Sequence, residues 1–91
     1  MAQLIKTNGE IIDIEPINGT DFRLKELQEY VGGLIEVVYM NHRRIMICNE
    51  EGRLESLPVN HVASQMLAND LKRDVIAIVG DVVICEDHQL K

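Results

Sequence analysis

Apolar and polar residues along this chain fall into short runs whose period changes from two to about 3.6 and back, and each change marks an element. Residues 2–6 and 10–15 carry apolar side chains at strand spacing on either side of Thr7-Asn8-Gly9. Asn-Gly tolerates the positive φ of a tight turn, so the chain is predicted to open with a hairpin. In its second strand Ile12 and Ile14 share one face while Ile11, Asp13 and Glu15 share the other, which predicts a single buried face. Pro16 ends the strand, residues 17–21 are turn-rich, and Thr20 or Asp21 is placed to cap a helix running from Phe22 to Val31. Leu24, Leu27 and Val31 recur there at helical spacing, with Phe22 or Tyr30 widening the stripe. Gly32-Gly33 stops the helix, because the residue just past a helix commonly turns left-handed.

Leu34 to Met40 is rich in β-branched and aromatic residues, and Asn41-His42-Arg43 turns it into a partner strand, Arg44 to Asn49. Glu50-Glu51-Gly52 turns the chain again into a short strand, Arg53 to Leu57, so this region reads as a meander. Pro58 ends the meander, and Asn60 is a plausible N-cap for a helix with Val62, Met66 and Leu67 inward, ending near Asn69-Asp70. Residues 70–74 are polar enough to form a loop. Val75 to Val79 and Val82 to Cys85 are nearly uniform apolar runs broken by Gly80-Asp81, the pattern of strands covered on both faces. Residues 86–91 read as a frayed tail. The order β-β-α-β-β-β-α-β-β predicts an α+β fold, with a mostly antiparallel sheet curled toward a small, partly open barrel and two short helices.

A chain of 91 residues reads as a single domain, 1–91. A domain this short buries only about 60–65% of its unfolded surface, which favours a homo-oligomer. Nine basic and fifteen acidic residues give a net charge of -6, which opposes direct binding of nucleic acid because that rests on neutralising phosphates. The basic pairs Arg43-Arg44 and Lys72-Arg73 are too isolated to form a patch. The acidity also allows an interaction module that imitates nucleic acid toward a basic partner, although the carboxylates are scattered. Cys48 and Cys85 sit in apolar runs, where a thiol behaves as a small hydrophobe. With no CxxC motif and no signal peptide, a reducing, cytoplasmic setting is expected. No apolar stretch approaches the roughly 20 residues of a membrane span.

Candidate chemistry concentrates in two turns. Asn49-Glu50-Glu51-Gly52 places two carboxylates and a carboxamide on one tight loop, and Pro58, Asn60 and His61 mark the start of the second helix. If the turns converge they make a ligand site; otherwise the first is only a turn and Asn60 only a cap. Glu50 and Glu51 are poor acid/base partners because neighbours on a turn point apart. His42, His61 and His88 have no metal-ligand spacing, and Ser56 and Ser64 lack a nucleophile-elbow context. Gly32-Gly33 leads from helix to strand, the reverse of a phosphate loop. Met40, Met46 and Met66 read as core residues.

The segments Tyr30-Val31-Gly32-Gly33-Leu34-Ile35-Glu36-Val37-Val38, Cys48-Asn49-Glu50-Glu51-Gly52-Arg53-Leu54 and Leu57-Pro58-Val59-Asn60 together resemble an uncharacterised family of short bacteriophage and mobile-element proteins. The family pattern is a leucine-rich helix, VGGxIEVV, CNEEGKL, LPxN and a closing apolar strand pair around a glycine. This chain departs from it at Val59, His61 and residues 62–74, with His61 standing where many relatives carry Arg. The resemblance implies an accessory protein of a bacterial host's cytoplasm that inhibits host defence. It would do so by sequestering a nucleotide-like small molecule or by docking on a host protein. The missing catalytic set adds the expectation of a non-enzymatic protein without cofactor or metal. The ligand-binding candidates are Asn49, Glu50, Glu51, Gly52, Pro58, Asn60 and His61. The remaining alternative is a small metal-dependent nucleotide hydrolase using Glu50, Glu51 and His61.

Overall fold

The structure, a computed structural model, describes residues 2–90. Strands β1 (Ala2–Ile5), β2 (Ile11–Ile14), β3 (Ile35–Tyr39), β4 (Arg44–Asn49) and β5 (Val82–Glu86) form one open antiparallel sheet in the order β2-β1-β5-β4-β3. Helix α1 (Leu24–Val31) covers one face and α2 (His61–Leu71) the other. The fold is therefore α+β, as the element pattern predicts, and the sheet does not close into a barrel.

Strand alternation explains the two layers. On β4 and β5, Ile45, Ile47, Val83 and Cys85 pack with Leu27, Val31, Ala2 and Phe22. Their neighbours Met46, Cys48, Val82 and Ile84 turn to the other face and pack with Ile5, Met40, Ala63 and Leu67. Side chains of β4 and β5 thus have an apolar environment on both sides, which is why these strands read as unbroken apolar runs. Between them these strands bury eight apolar side chains, counting Ile45 to Cys48 and Val82 to Cys85. Burial of the six Ile, Met and Val side chains among them contributes about 1.5–3 kcal/mol each. Met40 and Met46 lie in this core and Met66 packs partly against it.

The opening hairpin forms as predicted. Ile5 pairs with Ile11 and Ala2 with Ile14, and Asn8 steadies the turn by accepting from the Glu10 amide at 2.9 Å. The second strand is less covered than expected: Ile14 packs against the α1 core, but Ile12 on the same face is 38% exposed and Ile11 on the other is 49% exposed. Helix α1 also ends as expected, at Gly32 with φ 80°, whose N–H donates to the Gln28 carbonyl at 2.8 Å.

Its start differs from the expectation. Asn18 captures the amides of Thr20 and Asp21 at 2.8 and 2.9 Å, which holds these residues in a turn before the helix. The N-cap is Arg23, whose amide donates to the Glu26 carboxylate at 2.9 Å. Phe22 precedes the helix and is fully buried, whereas Leu24, assigned to the inner stripe by spacing, is 55% exposed.

Three further expectations are corrected. Arg53 to Leu57 forms no strand. Residues 50–57 fold into consecutive turns closed by Glu55 N–H to Glu51 O at 3.0 Å and Leu57 N–H to Gly52 O at 3.0 Å, because Arg53, Leu54 and Glu55 find no sheet neighbour and stay exposed. Val75 to Val79 forms no strand either, apart from an isolated bridge between Val59 and Val79. β5 already fills the place between β1 and β4, so this run becomes a strap, with Val75 and Ile78 packed on the α2 core. Residues 86–90 are not frayed: Glu86 belongs to β5, Asp87–Gln89 is a 3₁₀ turn, and the Gln89 carbonyl accepts from Phe22 N–H at 2.6 Å. Lys91 lies outside the described residues.

Candidate functional site

The two carboxamides among the predicted site residues are absorbed by the fold. Asn49, at the end of β4, donates from Nδ2 to the Val31 carbonyl at 3.1 Å and to Glu55 Oε1 at 3.2 Å, and accepts from the Glu51 amide at 2.8 Å. It ties the end of α1 to the turn loop, and a Cβ at Gly33 would sit 3.0 Å from its Nδ2. Asn60 is fully buried. Its Nδ2 donates to the carbonyls of Ile5 and Gly80, each at 2.9 Å, while its Oδ1 caps α2 by accepting from Ala63 N–H at 3.0 Å. The polar atoms of both side chains are thus taken up by protein partners.

The two predicted turns are joined through the end of the strap. Asn60 N–H donates to the Ile78 carbonyl at 2.7 Å, and Gly80 N–H to Pro58 O at 2.8 Å. Ser64 Oγ accepts from Ile78 N–H at 2.8 Å and donates to Asn60 O at 2.8 Å, so this serine is a strap anchor. On the other side, a Cβ at Gly52 would meet Val79 Cγ2 at 2.8 Å, and one at Gly80, whose φ is 77°, would meet Leu57 Cδ1 at 2.8 Å. The positive φ requires glycine at position 80, and a side chain at position 52 would force Val79 to shift. Glu50, Glu51, Pro58 and His61 remain at the surface.

Beneath the strap lies a groove of about 600 Å³. Val38, Cys48, Leu67, Leu71 and Ile78 supply its apolar lining, and Glu36, Glu50, Arg53, Arg73 and Asp74 its charged groups. Its walls come from the α2-facing side of β3 and β4, the end of α2, the turn loop and residues 73–79. Arg53 fixes one end by donating from Nη2 to the Ala77 carbonyl. Of the predicted candidates only Asn49 and Glu50 line this groove. Glu36, Arg53, Arg73 and Asp74 are missed by motif reasoning, because they meet only when 73–79 becomes a strap. The one sequence signal for them is an apolar run with a basic or acidic residue at its entrance, Arg73-Asp74-Val75, which a strand shares.

Cys48 lines the groove, yet burial first, and the nearby Glu36 carboxylate second, push its thiol up from 9.0 to about 12. Burial likewise pushes Cys85 up to about 11. A thiol held protonated at neutral pH is a poor nucleophile and a poor soft-metal ligand. His61 is exposed at the start of α2, His42 sits in the β3–β4 turn with φ 61°, and His88 is exposed on the 3₁₀ turn. Among the described residues no group of three or more His, Cys, Asp or Glu is arranged to hold a metal ion. A second, smaller cavity of about 320 Å³ is lined by Gln3, His42, Arg44, Ile84 and Glu86. Near it Arg44 pairs with Asp70, whose carboxylate also accepts from the Asn41 amide at 2.7 Å. These bonds fasten the end of α2 to the β3–β4 turn. No helix among the described residues is long and apolar enough to cross a membrane.

No curated protein and no solved structure matches the chain. A family model does match, over residues 1–90, and it is that of DUF3846, described as a domain of unknown function. The chain therefore belongs to the DUF3846 family.

Proposed function

We propose that this chain is a small binding module that takes a nucleotide-like molecule in the groove beneath the strap. The observation that carries the reading is the groove itself, with a volume inside the usual range of about 300–1,000 Å³ for small-molecule sites and an apolar lining beside a few charged groups. A planar base would rest on the partly exposed Val38, Leu71 and Ile78. Arg53 and Arg73 are donors suited to a phosphate or other anion, and the Glu36, Glu50 and Asp74 carboxylates to sugar hydroxyls or exocyclic amines. Cys48, the one nucleophile in the lining, is protonated at neutral pH, which favours binding without covalent chemistry. The motif resemblance to bacteriophage and mobile-element proteins supports an accessory role, in which the module sequesters a host signalling molecule.

The test is a thermal-melt screen against cyclic dinucleotides, ADP-ribose derivatives and common nucleotides. A ligand at about 100 times its dissociation constant stabilises by about 2.7 kcal/mol, a rise of several degrees for a chain this size. Arg73→Ala and Glu50→Gln, both at exposed positions, are expected to erase that rise while leaving the ligand-free melting temperature unchanged. A flat panel, or a rise indifferent to both substitutions, counts against the reading. It would favour a second one, docking on a host protein, for which the exposed apolar side chains Leu54, at 83%, and Ile76, at 76%, are the motivating observation.

A further inference from the structure

We propose that the outer edge of β3 is a homodimer interface, at which β3 pairs antiparallel with β3 of a second copy about a two-fold axis through Val37. The bond pattern of the hairpin sets this up. Met40 N–H donates to Arg44 O at 3.0 Å, and Glu50 N–H to Leu34 O at 2.8 Å. Hydrogen-bonded and non-bonded pairs alternate along an antiparallel ladder, so Glu36 and Val38 bond inward to Cys48 and Met46. Ile35, Val37 and Tyr39 therefore turn their N–H and C=O groups away from β4. β3 ends the sheet, and these outward groups have no hydrogen-bond partner among the described residues.

A two-fold axis at Val37 satisfies all of them in one register. Val37 then bonds to Val37 of the second copy, and Ile35 to its Tyr39, twice over. The side chains agree with the backbone. On the α1 face the pairs are Val37 with Val37 and Ile35 with Tyr39, and aromatic with β-branched neighbours are favoured cross-strand partners. On the α2 face Glu36 lies opposite Val38 of the second copy, so the only carboxylate on the strand does not meet its own image. Tyr39 at 73% exposure and Leu34 at 52% are the apolar surface this pairing would cover.

The other edge of the sheet is built the opposite way. Lys6 N–H donates to Glu10 O at 2.9 Å, so by the same alternation Ile11 and Asp13 turn outward on β2. Glu10, Asp13 and Glu15 then crowd negative charge along that edge, a common device against edge-to-edge association. An axis at Asp13 would set two carboxylates face to face. Charge thus protects one edge and leaves the other self-complementary.

Sedimentation equilibrium of the unmodified chain over micromolar to hundred-micromolar concentrations tests the association. A reversible dimer is expected, weakened about tenfold by Tyr39→Lys, which removes two favourable cross-strand pairs. Register is read by cysteine cross-linking, with Cys48 and Cys85 buried and out of the way. Val37→Cys places the two thiols on paired residues with Cα atoms about 5.5 Å apart, within disulfide reach, and should give a covalent dimer on oxidation. Tyr39→Cys sets its two copies roughly 14 Å apart and should give none. A monomer at every concentration overturns the proposal. So does cross-linking through position 39 but not 37.

Discussion

At the scale of single residues, Asn60 joins three parts of the chain that are far apart in sequence: β1 through the Ile5 carbonyl, the strap end through Gly80, and α2 through Ala63. Removing the carboxamide strands two buried carbonyls and one helix N–H at once. Asn60→Ala is expected to lower unfolding free energy by about 2–4 kcal/mol in urea denaturation, against a change within about 0.5 kcal/mol for His61→Ala. Equal effects would place Asn60 among ordinary surface polar residues. Cys48 makes a different prediction. The folded protein holds its thiol proton up to about pH 12, whereas the unfolded chain releases it near 9.0. Its contribution to stability is therefore complete below pH 9 and declines as pH rises from 9 toward 12. Urea midpoints measured from pH 7 to 11 should fall above pH 9, and the fall should shrink in Cys48→Ala. An identical alkaline fall in both proteins would remove Cys48 as its cause.

At the scale of elements, protection should follow position in the sheet. β5 is paired on both sides and covered on both faces, whereas β2 is paired on one side and largely exposed. Native-state hydrogen exchange is expected to show amides of Val83 to Cys85 opening near the global free energy and those of β2 and the 50–57 loop opening far more easily. Uniform protection across β2 and β5 would contradict this order. The same positions explain how far the sequence can be read. Local signals sufficed where the partner was adjacent: Asn8-Gly9 made its hairpin, Gly32 stopped its helix, and Asn60 capped the next. They failed where a distant segment decided the outcome. Val75 to Val79 has a strand's composition, but Val82 to Glu86 occupies the slot between β1 and β4, and no local feature ranks the two runs. The groove was invisible for the same reason, since it exists only because the losing run lies across α2 and β4. Of the two turns proposed as a site, Asn49 and Glu50 reached the groove, but the amides of Asn49 and Asn60 were drawn into structural bonds that residue type cannot distinguish from ligand contacts.

The molecule as a whole has a radius of gyration of 12.0 Å, against about 12.2 Å expected for a compact chain of this length. Each copy is therefore fully collapsed by itself, and association at β3 would join preformed subunits rather than complete a fold. It would also bring the grooves of two copies side by side, because Glu36 and Val38 belong both to the groove wall and to the shared edge. The sheet order has a consequence for how the chain comes into being. The β1–β2 and β3–β4 hairpins are each local, but only β5, which follows all four of their strands in the chain, connects them in the sheet. While residues 82–86 are still inside the ribosome, the two hairpins have no seam to close upon, and their apolar faces wait uncovered. Folding of this chain must therefore follow translation of the strand instead of accompanying the hairpins. During that interval the exposed strands are open to mispairing.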